Sequence, residues 1–355
     1  MTISALARDE ILALRAYDLP TMHPDAIRLN ANEAPIAISA GPAQGLNHYP
    51  PSRPRQLTET LASFYDVRPE NVLVTRGSSE GIDLLVRTFC VPGRDAVLVT
   101  PPAFEMYSVY AAIQGARVIE IPLLAERDFE LDVDGLLAAV DEKTKLMFLC
   151  SPNNPVGTVI PQEQLIRIAK STSKSTIVVV DEAYIEFSTA SSCSELLDTV
   201  DNLVVLRTLS KALALAGARC GCVIAAPEII RLLDVVLPPY AMSTPVVDNA
   251  LNALAATQLD AARVMITDII LERERLATAL WNISGVDHVW PSEANFLLAR
   301  FRELPRLLCG LEDAGILIRT FKDVPVLQSC ARVSIGTAEA NQAFLDVVRG
   351  VGQDA

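Results

Sequence analysis

The sequence predicts an α/β protein: a mostly parallel seven-stranded sheet covered by helices on both faces, with a smaller α+β domain formed from both chain ends. Two observations carry this expectation. Apolar runs without alternation, such as Ile177-Val178-Val179-Val180 and Leu203-Val204-Val205-Leu206, recur between segments of amphipathic helical pattern. An unbroken apolar run is what a parallel strand covered on both faces requires. After Pro238-Pro239 the pattern changes to a long Ala- and Leu-rich stretch followed by short strands.

In chain order, the first 40 residues hold one helix (3–16) and an extended segment, too short to fold alone and expected to pack on the smaller domain. Strands are expected at Val72–Thr75, Ala96–Thr100, Arg117–Ile121, Lys145–Cys150, Thr176–Val180, Leu203–Arg207 and Gly221–Ala225. Helices at about 79–90, 104–114, 132–140, 161–171 and 227–237 alternate with them, and repeated βα units of this kind build an open sheet. A helical stretch over 245–284 then leads to strands near 295–301, 315–321 and 331–335, with a helix near 303–314. The expected division is a large domain at 43–245 and a small one built from 1–42 plus 246–355.

Composition excludes several classes. Half of the 355 residues are hydrophobic, too many for a disordered chain. With 30 Lys and Arg against 43 Asp and Glu the net charge is −13, so the surface lacks the cations that non-specific binding of nucleic acid or anionic lipid needs. A local basic pocket for one small anion stays open. The longest stretch free of charged side chains, 34–52, contains four prolines and reads as a loop rather than a membrane span. The N-terminal segment has no apolar secretory core, so a cytoplasmic location is expected. The seven cysteines are scattered and several lie in apolar runs; they read as reduced, mostly buried thiols, with Cys220-x-Cys222 part of the core. His23, His48 and His288 form no metal-ligand spacing, and no metal is expected.

In an open α/β sheet, ligands bind beyond the carboxyl ends of the strands. Three strand ends carry chemistry here. The strand at 145–150 runs into SPNNPVGT, the next ends in Asp181-Glu182-Ala183-Tyr184, and the strand at 203–207 leads to Thr208-Leu209-Ser210-Lys211. Each has an ordinary explanation alone: a turn, a helix cap, a surface lysine. Together they supply what pyridoxal phosphate needs: an amine for a Schiff base, a carboxylate for the pyridinium nitrogen and donors to the ring oxygen. Its phosphate would sit against Ser210, Arg219 and the helix that begins after Thr75-Arg76-Gly77-Ser78-Ser79, where free backbone N–H groups make an anion site.

The runs SPNNPVGT, VVVDEAYIEF and RTLSKALALAGARCG resemble the signatures of fold-type I pyridoxal-phosphate aminotransferases, and more narrowly of the histidinol-phosphate aminotransferase family. LNANEAP (29–35), HYP (48–50), TRGSSEGIDLLVRTF (75–89), PPAFEMYSV (101–109), PYAMSTPV (239–246), EANFLLARF (293–301) and ARVSIGT (331–337) extend the resemblance over nearly the whole chain. It implies that Lys211 carries the cofactor, Asp181 pairs with its ring nitrogen, and Asn154 and Tyr184 bond its ring oxygen. Ser78, Ser79, Thr208, Ser210 and Arg219 would surround the phosphate and Phe104 would stack on the ring. Tyr49 would reach the phosphate of a neighbouring subunit, which implies a homodimer.

The resemblance also implies the substrates histidinol phosphate and glutamate/2-oxoglutarate. Arg332 lies on the polar side of an alternating strand and its planar fork suits either phosphate or carboxylate. Arg319 and Tyr17 match positions that hold the substrate phosphate. The reaction expected is a ping-pong transamination in which neutral Lys211 moves the substrate's Cα proton. An aromatic amino-acid aminotransferase or a threonine-phosphate decarboxylase of the same fold is the alternative. A nucleotide-binding protein would need GxGxxG or GxxxxGK[ST] after the first strand, and neither is there.

Overall fold

The computed structural model describes residues 3–15, 28, 31–38 and 45–353. The chain begins with a 3-10 turn at Ile3–Leu6 and a short helix, α1 (Asp9–Leu12), then reaches α2 (Arg55–Phe64). The larger unit alternates β1 (Val72–Thr75), α3 (Ser78–Phe89), β2 (Ala96–Val99), α4 (Met106–Gln114), β3 (Arg117–Glu120), α5 (Val133–Ala139) and β4 (Thr144–Cys150). It continues through α6 (Gln162–Thr172), β5 (Ile177–Asp181), β6 (Leu203–Thr208), β7 (Gly221–Ala225) and α7 (Pro227–Val236). Then follow α8 (Thr244–Ala253), α9 (Ala256–Trp281), β8 (Val286–Val289), β9 (Phe296–Phe301), α10 (Leu304–Asp313), β10 (Arg319–Thr320), β11 (Cys330–Ser334) and α11 (Ala338–Gln353).

The seven expected strands form one sheet in the order β1-β7-β6-β5-β4-β2-β3. β7 alone runs antiparallel to its neighbours β1 and β6, and the other pairings are parallel. The pleat divides the apolar runs between two cores. Ile177, Val179, Phe148 and Leu206 face a layer that includes α3, α4 and α7, while Val178, Val180, Met147 and Val205 face α2, α5 and α6. Both sets are buried, so the runs Ile177–Val180 and Leu203–Leu206 are apolar at every position and show no alternation. A fully buried Val or Leu contributes about 1.5–3 kcal/mol, and the strands are held from both sides.

The second sheet is antiparallel, in the order β10-β11-β9-β8. One face packs on α9, α10 and α11 through Leu276, Leu297, Leu311, Val333 and Leu345. In β11, Cys330, Ala331 and Val333 are buried, Arg332 is half-buried and Ser334 is exposed. A small cluster of Tyr184, Phe187, Ala212 and Phe296, with Ile269 of α9, joins the two sheets.

Three local expectations are corrected. Residues 3–12 pack on α7 and α3 rather than on the small sheet: Ile3, Leu6 and Ala7 enter the core beside Ile230 and Leu233, and the Arg8 N–H bonds the Thr88 carbonyl at 3.1 Å. The helix expected over 3–16 is broken at Arg8, whose backbone is extended. The stretch 245–284 is two helices, parted at Leu254–Ala255 where Ala255 leaves the helical region. Among the described residues no helix is long and apolar enough to cross a membrane.

Candidate active site

A cavity of about 780 Å³ opens at the carboxyl ends of the parallel strands. Ser78, Ser79, Phe104, Asn154, Asp181, Tyr184, Thr208, Ser210, Lys211, Arg219, Arg319 and Arg332 all line it, though they come from distant parts of the chain. Tyr49 does not. It is half-exposed, stacks on Tyr240 with ring centroids 4.6 Å apart, and lines a separate cavity of about 500 Å³ with Glu33 and Asn47. Tyr17 lies outside the described residues.

The floor is built by strand ends. Asp181 closes β5, and its Oδ1 accepts from the Ala183 N–H at 3.1 Å while Oδ2 accepts from the Tyr107 hydroxyl at 2.7 Å. Burial pushes its carboxyl up to about 6, against the pull of the Tyr107 hydrogen bond. Lys211 follows β6 in a turn in which the Ser210 N–H bonds Thr208 Oγ1 at 3.2 Å. Its Nζ lies 5.6 Å from the centroid of the buried Tyr184 ring. Burial lowers the Lys211 pKa, and the positive charges of Arg332 and Arg219 lower it further. An amine that gives up its proton readily is what a nucleophile or base needs.

One end of the cavity is an anion cradle. Gly77, at φ +81°, precedes α3, and a Cβ there would lie 2.9 Å from Arg219 Nη2. Only glycine lets the turn and the guanidinium share that space. Arg219 donates to Ser210 Oγ at 3.3 Å and to the Ala216 carbonyl at 3.0 Å. The helix N-terminus, Ser78, Ser79, Ser210 and Arg219 thus converge on one point, the geometry that holds a phosphate.

The opposite wall belongs to the small sheet. Arg332 of β11 and Arg319 of β10 are direct cross-strand partners. Like charges set side by side are unfavourable until an anion bridges them. The Arg332 guanidinium lies 5.2 Å from the Phe296 ring centroid and donates to Asn154 Oδ1. The Arg319 guanidinium comes within 4.0 Å of Glu105. Cation pair, amine, buried carboxylate and phosphate cradle therefore occupy one cavity, and the donor set fits pyridoxal phosphate.

Two features escaped the sequence reading. The first is Tyr107, in the first turn of α4, whose ring meets Phe104 edge-on with centroids 5.7 Å apart. The second lies behind the floor, where Arg207 Nη1 donates to Glu182 Oε2 at 3.1 Å and to Ser192, and Nη2 donates to Glu186 at 2.8 Å. Its guanidinium also sits 4.2 Å from the Tyr65 ring centroid. This buried group ties the segment after Asp181 to the segment before Lys211. The signal was faint: Glu182 and Glu186 bracket Tyr184 in DEAYIE, and Arg207 interrupts an apolar strand.

The fold and this cavity define an aminotransferase of the pyridoxal-phosphate type, and comparison agrees: the chain belongs to the family described as aminotransferase class I and II, which it matches over residues 9–348. It is 43% identical over 354 residues to the histidinol-phosphate aminotransferase of Xanthomonas euvesicatoria pv. vesicatoria, covering 98% of this chain and 97% of that one. It is 42% identical over 352 residues to the enzyme of that name from Escherichia coli, with 98% of each covered. The histidinol-phosphate aminotransferase of Sinorhizobium meliloti, solved in complex with pyridoxal-5'-phosphate, aligns with a TM-score of 0.78 at 27% identity over 86% of this chain and 83% of that one.

Proposed function

We propose that the chain catalyses pyridoxal-phosphate-dependent transamination of histidinol phosphate with 2-oxoglutarate, giving imidazole acetol phosphate and glutamate, a step of histidine biosynthesis. One observation carries the proposal: Lys211, Asp181 and the Arg319–Arg332 pair line a single cavity whose far end is a phosphate cradle. Both ends of that cavity are built for anions, as a phosphorylated cofactor and a phosphorylated substrate require. Relatives at 43% and 42% identity over nearly the whole chain carry the histidinol-phosphate aminotransferase name.

Bound pyridoxal phosphate supplies an electron sink for the pair left when a proton departs from the substrate's Cα. Ser78, Ser79, Thr208, Ser210 and Arg219 hold its phosphate, Phe104 packs on its ring, and Asn154 and Tyr184 donate to its ring oxygen. Asp181 faces its ring nitrogen, where a buried carboxylate favours the protonated ring. Lys211 is the covalent anchor and then the base, its Nζ taking the proton from Cα in a site that already disfavours the ammonium. Arg332, with Arg319, takes the phosphate of histidinol phosphate in one half-reaction and the glutamate α-carboxylate in the other. Tyr17 is assigned to the same substrate phosphate.

We further propose a cytoplasmic homodimer in which Tyr49 completes the partner's phosphate site. Its half-exposed ring and the exposed apolar Ile36, Ile38 and Leu46 support that reading. Two domains, 43–245 and 246–355, are proposed for each chain, with residues 3–12 packed on the first.

The test is a transamination assay on histidinol phosphate against phenylalanine, with Lys211→Ala as the blank. Preferred turnover of histidinol phosphate is expected, with loss of about 10³-fold or more in Lys211→Ala. Faster turnover of phenylalanine would move the chain to an aromatic aminotransferase. Undiminished turnover in Lys211→Ala would end the reading.

A further inference from the structure

Asp181 is 3% exposed, so what orients its carboxylate must come from the protein. Besides the Ala183 N–H, the donor is the Tyr107 hydroxyl, 2.7 Å from Oδ2 and 74 residues away in sequence. The tyrosine ring is itself fixed. It lies parallel to Phe148 of β4 with centroids 4.9 Å apart, meets Phe104 edge-on at 5.7 Å, and is 1% exposed. Burial, with the negative charge at Asp181 next, pushes its pKa well above the usual phenol value, so it remains a donor at any working pH. The other titratable groups around Asp181 are Cys150, Glu182, Tyr184 and Lys211. The Cys150 thiol is pushed up to about 12 by burial and stays neutral, and Glu182 is held by Arg207 and Ser192.

Resting on the reading of Asp181 as the carboxylate that faces the cofactor's ring nitrogen, we propose that Tyr107 is a positioning residue for this reaction, its hydroxyl aiming Asp181 into the cavity and keeping it anionic. Burial alone favours the neutral acid; a hydroxyl donor on Oδ2 favours the charged form. The chemistry requires the anion, because a neutral acid does not stabilise a protonated ring nitrogen. Aromatic packing of Tyr107 does not distinguish the two forms, whereas the hydroxyl does.

Tyr107→Phe keeps the ring and removes the donor. In the cofactor-loaded enzyme, kcat is expected to fall about tenfold, the worth of one hydrogen bond to a charged group. KM for the amino donor should stay within about twofold. The pH at which the cofactor's visible band titrates should move by about half a unit or more, a spectroscopic shift that lost packing would not cause. In an Asp181→Asn background the same substitution should change these quantities by less than about twofold, because the group through which Tyr107 acts is gone. If Asp181→Asn is impaired but Tyr107→Phe titrates and turns over like the wild type, the role of Tyr107 is refuted and that of Asp181 stands. A lowered melting temperature with unmoved titration equally refutes it. If Asp181→Asn itself behaves as wild type, the active-site reading and this proposal fall together.

Discussion

The two sheets that meet at the cavity are built on different principles, and the difference divides the chemistry between them. The seven-stranded sheet is buried on both faces, and the groups at its strand ends, Asp181 and Lys211, stand on backbone locked from two sides. The four-stranded sheet packs one face on α9, α10 and α11, whereas on its other face Leu298 and Cys330 meet only a small cluster with Phe129, Trp290 and Leu327, and Arg332 and Arg319 project from that sheet. The larger sheet thus suits groups that must be held for the bond-making step, and the smaller suits groups that meet an arriving anion. Losses in the first should appear in kcat and losses in the second in KM.

Asp181→Asn is the sharpest way to test the first half. Turnover should fall by about 10²-fold or more, since electrostatic stabilisation of developing charge is at stake. Stability should move the other way. A folded-state value near 6 means that the folded protein holds this proton more tightly than the unfolded chain does. The stability so contributed is present in full below the ordinary carboxylate value and is lost as pH rises through about 6. Above that pH the cofactor-free protein bears a burial cost of about 3 kcal/mol, which the amide removes. Denaturant titration of cofactor-free protein should therefore find Asp181→Asn more stable than the wild type at pH 8, with the difference shrinking towards pH 4. Equal stability at both pH values would contradict the buried anion.

Arg332→Gln tests the second half. KM should rise about 30-fold for both the phosphate and the carboxylate substrate, the loss expected of a charge-assisted anion contact. kcat should change far less. A rise for one substrate only would show that the two anions use different cations, and a loss confined to kcat would erase the contrast between the sheets.

How much of this was legible in the sequence follows the same contrast. The strands of the large sheet announced themselves because burial on both faces leaves continuous apolar runs, and Asp181 and Lys211 stood out where those runs stop. The antiparallel direction of β7 was not legible, since its apolar run looks the same either way. β8 was missed because Val286-Asp287-His288-Val289 is an edge strand with charged, partly exposed positions. α2 and α11 were missed as well, while residues 3–12 were assigned to the wrong partner because an apolar stripe does not say which surface covers it. Tyr107 and Arg207 were illegible for a related reason. Tyr107 meets its partner across 74 residues and Arg207 meets Glu182 across 25, and no local spacing encodes those encounters.

The smallest expected effect lies at the joint between the sheets. Glu293, just before β9, accepts from Ser188 Oγ and from the Thr189 N–H, both at 2.7 Å, and so fastens the small sheet to the segment that follows Tyr184. Burial works to raise its pKa, but the Ser188 and Thr189 donors outweigh it and hold the carboxyl below its usual range. Stability from a depressed value is present above the ordinary carboxylate range and lost as pH falls through the folded value. Glu293→Gln should therefore cost about 1 kcal/mol at pH 7 and progressively less on acidification, read by denaturant titration. Its KM should rise by no more than a few-fold, with kcat unchanged, because the fastening sets where the small sheet stands and leaves the ends of β5 and β6 in place. A fall in kcat as large as that of Asp181→Asn would mean that the joint, and not only the large sheet, holds the reacting groups, and the division drawn between the two sheets would fail.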